Sequence, residues 1–84
     1  MPEILIYTTR ICPYCIMAKR LLEQKGAHYT EINVDANPGL REEMEQKSRR
    51  RTVPQIFIGE RHIGGFDELY ALDKQQGLDP LLQD

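Results

Sequence analysis

No stretch of this 84-residue sequence stays apolar for long. Its longest apolar runs, such as Ile4-Leu5-Ile6-Tyr7, fall far short of the roughly 20 residues that a membrane-spanning helix needs. The start, Met1-Pro2-Glu3, has no basic region and no long apolar core behind it, so no signal peptide is expected. Neither sign of charge is in large excess. Eleven basic and thirteen acidic residues leave a formal net charge of −2. That balance excludes bulk attraction to nucleic acid or to an acidic membrane. Repeats, linkers and low-complexity segments are absent. The length therefore predicts one small domain over residues 1–84 with a modest core. It is expected to act as a monomer. The expected compartment is the cytoplasm, where a lasting structural disulfide is disfavoured.

What is present is a clear alternation of elements. The continuously apolar Ile4-Leu5-Ile6-Tyr7 fits a strand buried on both faces. Pro13 suits the first turn of a helix, Ala18, Leu21 and Leu22 repeat at helical spacing, and Gly26 suits its end, which predicts a helix over 13–25. Residues 29–34 are rich in β-formers and predict a second strand. Asn37-Pro38 reads as a cap and first-turn pair opening a helix to Ser48, with Leu40 and Met44 as its narrow apolar stripe. Val53 to Ile58 and Arg61 to Ile63 predict two strands joined by a two-residue turn at Gly59-Glu60. Phe66 to Gln76 predicts a last helix ending at Gly77, with Asp79-Pro80-Leu81-Leu82 as a closing turn. The order β-α-β-α-β-β-α defines an α/β fold. Its first two strands are parallel through a right-handed crossover. The sheet is mixed and four-stranded, with helices on both faces. Tyr7, Tyr29 and Tyr70 are expected to pack against the core or the sheet.

Cysteine is scarce as well: Cys12 and Cys15 are the only two. A zinc site needs about four ligands, and the two histidines, His28 and His62, stand alone. A structural staple across so small a loop would stabilise little in a reducing compartment. A redox dithiol beside a βαβ pattern fits best. Cys12 falls at the helix N-cap, where the free N–H groups of Tyr14 and Cys15 and the helix dipole favour thiolate over thiol. An ordinary thiol, with a pKa of about 8.5, is only a few per cent ionised at pH 7, so such help matters. Cys15, one turn inside, is expected to be more buried. The asymmetry assigns Cys12 as nucleophile and Cys15 as resolving thiol.

Cys12-Pro13-Tyr14-Cys15, Thr52-Val53-Pro54 and Gly64-Gly65-Phe66-Asp67, in that order and spacing, resemble the dithiol class of the glutaredoxin family, in particular its small bacterial type. The resemblance covers nearly the whole chain. It implies a thioredoxin fold, a cis Pro54, and glutathione-dependent reduction of glutathione mixed disulfides and protein disulfides. Glutathione is then a co-substrate, regenerated by glutathione reductase and NADPH, and no cofactor or metal is tightly bound. Partners implied are glutathionylated or disulfide-containing proteins, with ribonucleotide reductase as a family-level target.

The implied glutathione contacts are Tyr14 through its ring, Thr52, Val53 and Pro54 through a strand-like backbone, and Phe66 and Asp67 at a helix N-terminus. Asp67 is also expected to cap that helix. Relatives often hold the glycine carboxylate with Lys three residues before the first cysteine, and with Gln or Arg on the second helix. Here Thr9 stands at the first place with Arg10 beside it, and Arg41 stands at the second. Arg41 alternatively pairs with Glu45 along its helix. Arg51, ending the run Arg49-Arg50-Arg51, is a further candidate, whereas Arg49 and Arg50 are expected to supply only field. Two other readings stand beside this one. A redoxin fed by thioredoxin reductase would have a degraded glutathione site, which Arg41, Asp67 and Thr52-Val53-Pro54 argue against. A glutathione-ligated iron–sulfur carrier would more often have a single active-site cysteine followed by Gly, unlike Cys12-Pro13 with Cys15.

Overall fold

The computed structural model describes residues 2–83; Met1 and Asp84, the ends of the expected domain, lie outside the described residues. Four strands, β1 (Ile4–Thr8), β2 (Thr30–Asn33), β3 (Gln55–Ile58) and β4 (Arg61–Gly64), form one sheet in the order β2-β1-β3-β4. β1 and β2 run parallel, while β1–β3 and β3–β4 are antiparallel. The helices are α1 (Pro13–Gln24), α2 (Pro38–Ser48), α3 (Phe66–Lys74) and α4 (Leu78–Gln83), with a 3-10 turn at Val34–Ala36. Among the described residues no helix is long and apolar enough to cross a membrane.

Strand periodicity divides the core between the two faces of the sheet. Ile4 and Ile6 of β1 and Ile56 and Ile58 of β3 join Ala18 and Leu22 of α1, Leu69 of α3 and Leu78 and Leu82 of α4. On the other face Tyr7 and Phe57 meet Val34 and Met44, the latter from α2. This is the expected thioredoxin-type sheet with helices on both sides.

Four details differ from expectation. The segment after Gly77 is a helix, α4, because Leu78 and Leu82 lie four apart and both bury their side chains. β2 stops at Asn33, whose side chain accepts from the Asp35 N–H at 2.8 Å and starts the 3-10 turn. β3 begins at Gln55 rather than Val53: the Val53–Pro54 peptide is cis, as expected, and Pro54 has no N–H to give to a ladder. Tyr70 is not a core residue but lies 46% exposed on α3, whereas Tyr7 is fully buried.

Candidate active site

Cys12 is the N-cap of α1, in extended backbone, with Pro13 behind it in the first helical turn. Its Sγ accepts a hydrogen bond from the Cys15 N–H at 3.1 Å. The Tyr14 N–H, expected to share this role, makes no such bond. The same sulfur lies 3.9 Å from the Val53 carbonyl oxygen, although 41 residues separate the two in sequence. Both cysteines are free thiols, Cys12 half-buried and Cys15 buried.

Cys15 is buried for a simple reason: it shares the inward stripe of α1 with Ala18 and Leu22, at positions i, i+3 and i+7. Burial pushes its thiol up to about 12, and the hydrogen bond with the Cys12 side chain adds to the rise. A backbone bond from Thr9 and the charge of Lys19 pull the other way. Lys19 is itself held by Glu31 at 3.0 Å, and the Thr8 hydroxyl donates to the same Glu31 oxygen at 2.7 Å.

A groove of about 270 Å³ runs between this cysteine corner and the start of α3. Tyr14, Thr52, Val53 and Pro54 line one side, and Gly65, Phe66 and Asp67 the other, with Arg50 and Glu68 across one wall. The rings of Tyr14 and Phe66 stand 6.5 Å apart, centre to centre. Val53 lies two residues before the central strand β3, off the end of the sheet rather than along one of its lateral edges.

The start of α3 departs from expectation. Gly65, not Asp67, is the N-cap, and Asp67 occupies the second helical position. Glu68 does the capping: its carboxylate accepts from the Gly65 N–H at 2.6 Å and pairs with Arg50 at 3.0 Å. The Gly65 N–H, opposed by burial but helped by Arg50, holds the Glu68 carboxyl below its usual range. Gly64 has φ +118, and a side chain there would strike the Glu68 carboxylate, so glycine is required. The N–H groups of Phe66, Asp67 and Glu68, in the first turn of α3, have no intrahelical partners, and all three residues line the groove.

The other predicted residues lie off the groove lining. Arg41 faces a second hollow, donates to the Arg51 carbonyl oxygen at 3.1 Å and approaches Asp35 at 3.9 Å. The expected Arg41–Glu45 pair is absent, because Arg51 takes Glu45 at 3.4 Å. Arg10 is exposed, and its backbone N–H reaches Asp35 at 3.2 Å. Sequence reasoning missed Arg50 as a groove residue and missed a buried clamp beneath it. The Gln55 Nε2 donates to the Thr52 carbonyl and hydroxyl at 3.0 and 3.2 Å, while its Oε1 accepts from the His62 Nε2 at 2.7 Å. Burial, with Arg50 nearby, lowers the His62 pKa. Among the described residues no three His, Cys, Asp or Glu side chains gather as metal ligands.

Fold and site together define a thioredoxin-fold protein with a dithiol at a helix N-terminus, the arrangement of a redox-active cysteine pair. The glutaredoxin family profile matches residues 4–63. Over 83 residues the chain is 55% identical to glutaredoxin 3 of Escherichia coli K12, covering 99% of this chain and 100% of that protein. The solution structure of glutaredoxin from Brucella melitensis matches with a TM-score of 0.87 at 54% identity, covering 98% of this chain and 89% of that one. A crystal structure of a buckwheat glutaredoxin–glutathione complex matches with a TM-score of 0.88 at 32% identity, covering 95% and 76%. The chain belongs to the glutaredoxin family and is a thiol–disulfide oxidoreductase.

Proposed function

We propose that the protein uses glutathione to reduce glutathione mixed disulfides through Cys12 alone, and protein disulfides through Cys12 and Cys15. The observation that carries this reading is the meeting of the Cys12 sulfur with the Val53 carbonyl, 3.9 Å away, at one end of a groove whose other end is a helix N-terminus. Glutathione is a short peptide with an anionic group at each end. Its cysteine unit fits the unladdered backbone of Val53, which stands before β3 begins. Its γ-glutamyl carboxylate suits the free N–H groups of Phe66 and Asp67, and its ammonium suits the Asp67 carboxylate. Tyr14, Thr52 and Pro54 wall the tripeptide. Arg41 is the residue proposed for the glycine carboxylate, with Arg10 and Arg51 as lesser candidates. The buckwheat relative whose crystal structure is a complex with glutathione supports the assignment.

In the proposed cycle the Cys12 thiolate attacks the glutathione sulfur of a mixed disulfide. A Cys12–glutathione disulfide forms, the old S–S bond breaks, and the target leaves as a thiolate that takes a proton. A second glutathione thiolate then attacks the glutathione sulfur on Cys12, which releases oxidised glutathione and restores Cys12. With a protein disulfide, Cys12 attacks one sulfur, the other leaves as a thiolate, and a Cys12–target disulfide forms. The Cys15 thiolate then attacks the Cys12 sulfur, which forms a Cys12–Cys15 disulfide and releases the second target thiolate. Two glutathiones reduce that disulfide and leave as oxidised glutathione. Once Cys12 is in a disulfide it no longer raises the Cys15 pKa; burial, the larger cause, still does, while Thr9 and Lys19 still lower it. Cys15 therefore becomes easier to ionise at the step that needs it. Such a cycle needs a reduced glutathione pool, so the cytoplasm is the compartment proposed.

The test is to follow NADPH oxidation with a glutathione mixed disulfide as substrate. Glutathione plus glutathione reductase should support turnover, and thioredoxin reductase in their place should not. Turnover with thioredoxin reductase alone would contradict the reading.

A further inference from the structure

The large hydrophobic residues left exposed among the described residues are Ile11, Tyr14, Ile16, Met17 and Tyr70. Four of the five fall within 11–17, around the Cys12 end of α1, and the fifth faces them from α3. Between the two helices lies a second groove of about 220 Å³, floored by Met17, Leu21, Phe66 and Tyr70 and edged by Arg20 and Gln24. Phe66 is shared. One part of its surface walls the cysteine groove and another floors this one, where it stacks on Tyr70 at 5.7 Å. The apolar groove is thus continuous with the thiol site, on the side of Phe66 away from the Val53 backbone.

Its border is cationic. Arg20 forms no ion pair among the described residues. The Lys74 Nζ lies 5.2 Å from the Tyr70 ring centre. Of the nearby acids, Asp73 is paired with Lys25 at 2.7 Å, while Glu23 keeps its charge and accepts from the Tyr29 hydroxyl at 2.6 Å. An apolar floor with an unpaired guanidinium at its rim complements an apolar side chain next to a carboxylate.

We propose that this α1–α3 groove docks the polypeptide that carries the target sulfur, and that it selects an apolar side chain followed by an acidic one. The inference rests on the glutathione reading above, in which the tripeptide fills only the Val53 side of Phe66. Helix geometry sets the register. Met17 lies about 8 Å along α1 from Cys12 and Arg20 about 12 Å, at ~1.5 Å per residue. An extended peptide covers ~3.3 Å per residue, so the apolar residue belongs about two or three positions from the target cysteine and the acid about four. Large and small target proteins then share one chemistry at Cys12 and differ in docking here.

The experiment uses short peptides with one glutathionylated cysteine, carrying either Leu and Glu at those positions or Ser and Lys. Each pair is made with the residues on either side of the cysteine. In at least one direction the Leu/Glu peptide should be turned over with a kcat/KM about tenfold higher, through KM, as a small apolar contact gives. Met17→Ser should erase the preference for Leu, and Arg20→Glu should reverse the preference from Glu to Lys. Both variants should reduce the mixed disulfide of glutathione and 2-mercaptoethanol within about twofold of the parent, since that substrate does not reach the groove. Equal turnover of the peptides by the parent, or equal loss on the small disulfide in the variants, would overturn the docking inference alone. A folded parent that reduces no glutathione disulfide would overturn the reading beneath it.

Discussion

Gln55 is wholly buried, yet both ends of its amide are satisfied. Its donor ties down Thr52, the residue before Val53-Pro54, and its acceptor takes the His62 Nε2, so the neutral imidazole carries its proton there. The clamp holds the loop that faces Cys12. Gln55→Leu keeps the volume but leaves the Thr52 and His62 groups without partners. It should cost about 2 kcal/mol in urea unfolding, because unsatisfied buried polar groups cost on the order of 1–3 kcal/mol each. The KM for a glutathione disulfide should rise at the same time, since Thr52 and Val53 lose their support. This clamp was not legible in the sequence. A glutamine before Ile56-Phe57-Ile58 reads as an ordinary strand residue, and a lone histidine as an isolated one; only the β3–β4 pairing brings them together. Arg50 was hidden in a similar way. Three consecutive arginines look alike in sequence, but Arg49 takes a left-handed backbone (φ 60) and turns the chain, so Arg50 alone meets Glu68.

Element ends decide much of the site. At α3 the Glu68 carboxylate receives the Gly65 N–H and pairs with Arg50, and its pKa is lowered. The sign follows directly. A carboxyl with a depressed folded pKa contributes stability that is fully present above its unfolded value of about 4.5 and is lost as pH falls through the lower folded value. The group is nearly half exposed, so the contribution is under about 1 kcal/mol. Glu68→Gln should flatten the acid limb of stability against pH, measured as the urea midpoint, with little change near neutrality.

The C-termini of α1 and α3 show the same motif with different residues. In α1, Gly26 (φ 70) donates to the Glu23 carbonyl and Ala27 to that of Leu22. In α3 the left-handed residue is Gln76 (φ 62), one before the glycine that the sequence marks as the stop. Gly77 has a different role, in close packing: a Cβ there would sit 2.8 Å from the Leu72 Cδ1, so the Leu72 side chain would have to shift. Gln76→Gly should therefore stabilise by about 0.5–1 kcal/mol, by relieving the left-handed cost to a residue with a side chain. Gly77→Ala should destabilise instead, and thermal unfolding of the two variants reads both signs. Helix existence was legible from periodicity, and so was Gly26 as the end of α1; at α3 the residue that turns the chain was not, because glycine answers to both backbone freedom and close packing.

Across the whole molecule, one sheet with two unlike cores separates the cysteines in kind. Cys15 is buried on the same stripe of α1 as Ala18 and Leu22 of the α1–β1–β3 core, while Cys12 is left at the rim, where the chain brings Val53 from far along the sequence. The element order, the parallel β1–β2 pair, the β3–β4 hairpin and the helices on both faces follow from patterns visible in the sequence, whereas the strand order β2-β1-β3-β4 comes from the structure. The alternation of Ile4 and Ile6 with Leu5 and Tyr7 is one such pattern, since it supplies both cores at once. The chain's second groove was not visible, because Met17, Leu21 and Tyr70 read as helix-face residues until α1 and α3 are set side by side. The asymmetry of the cysteines is the central claim, and turnover of a small glutathione mixed disulfide by two single variants tests it most directly. Cys12→Ser should abolish turnover, and Cys15→Ser should keep much of it, because the proposed single-thiol cycle needs only the rim sulfur. Activity retained in Cys12→Ser, or lost equally in both variants, would contradict the account.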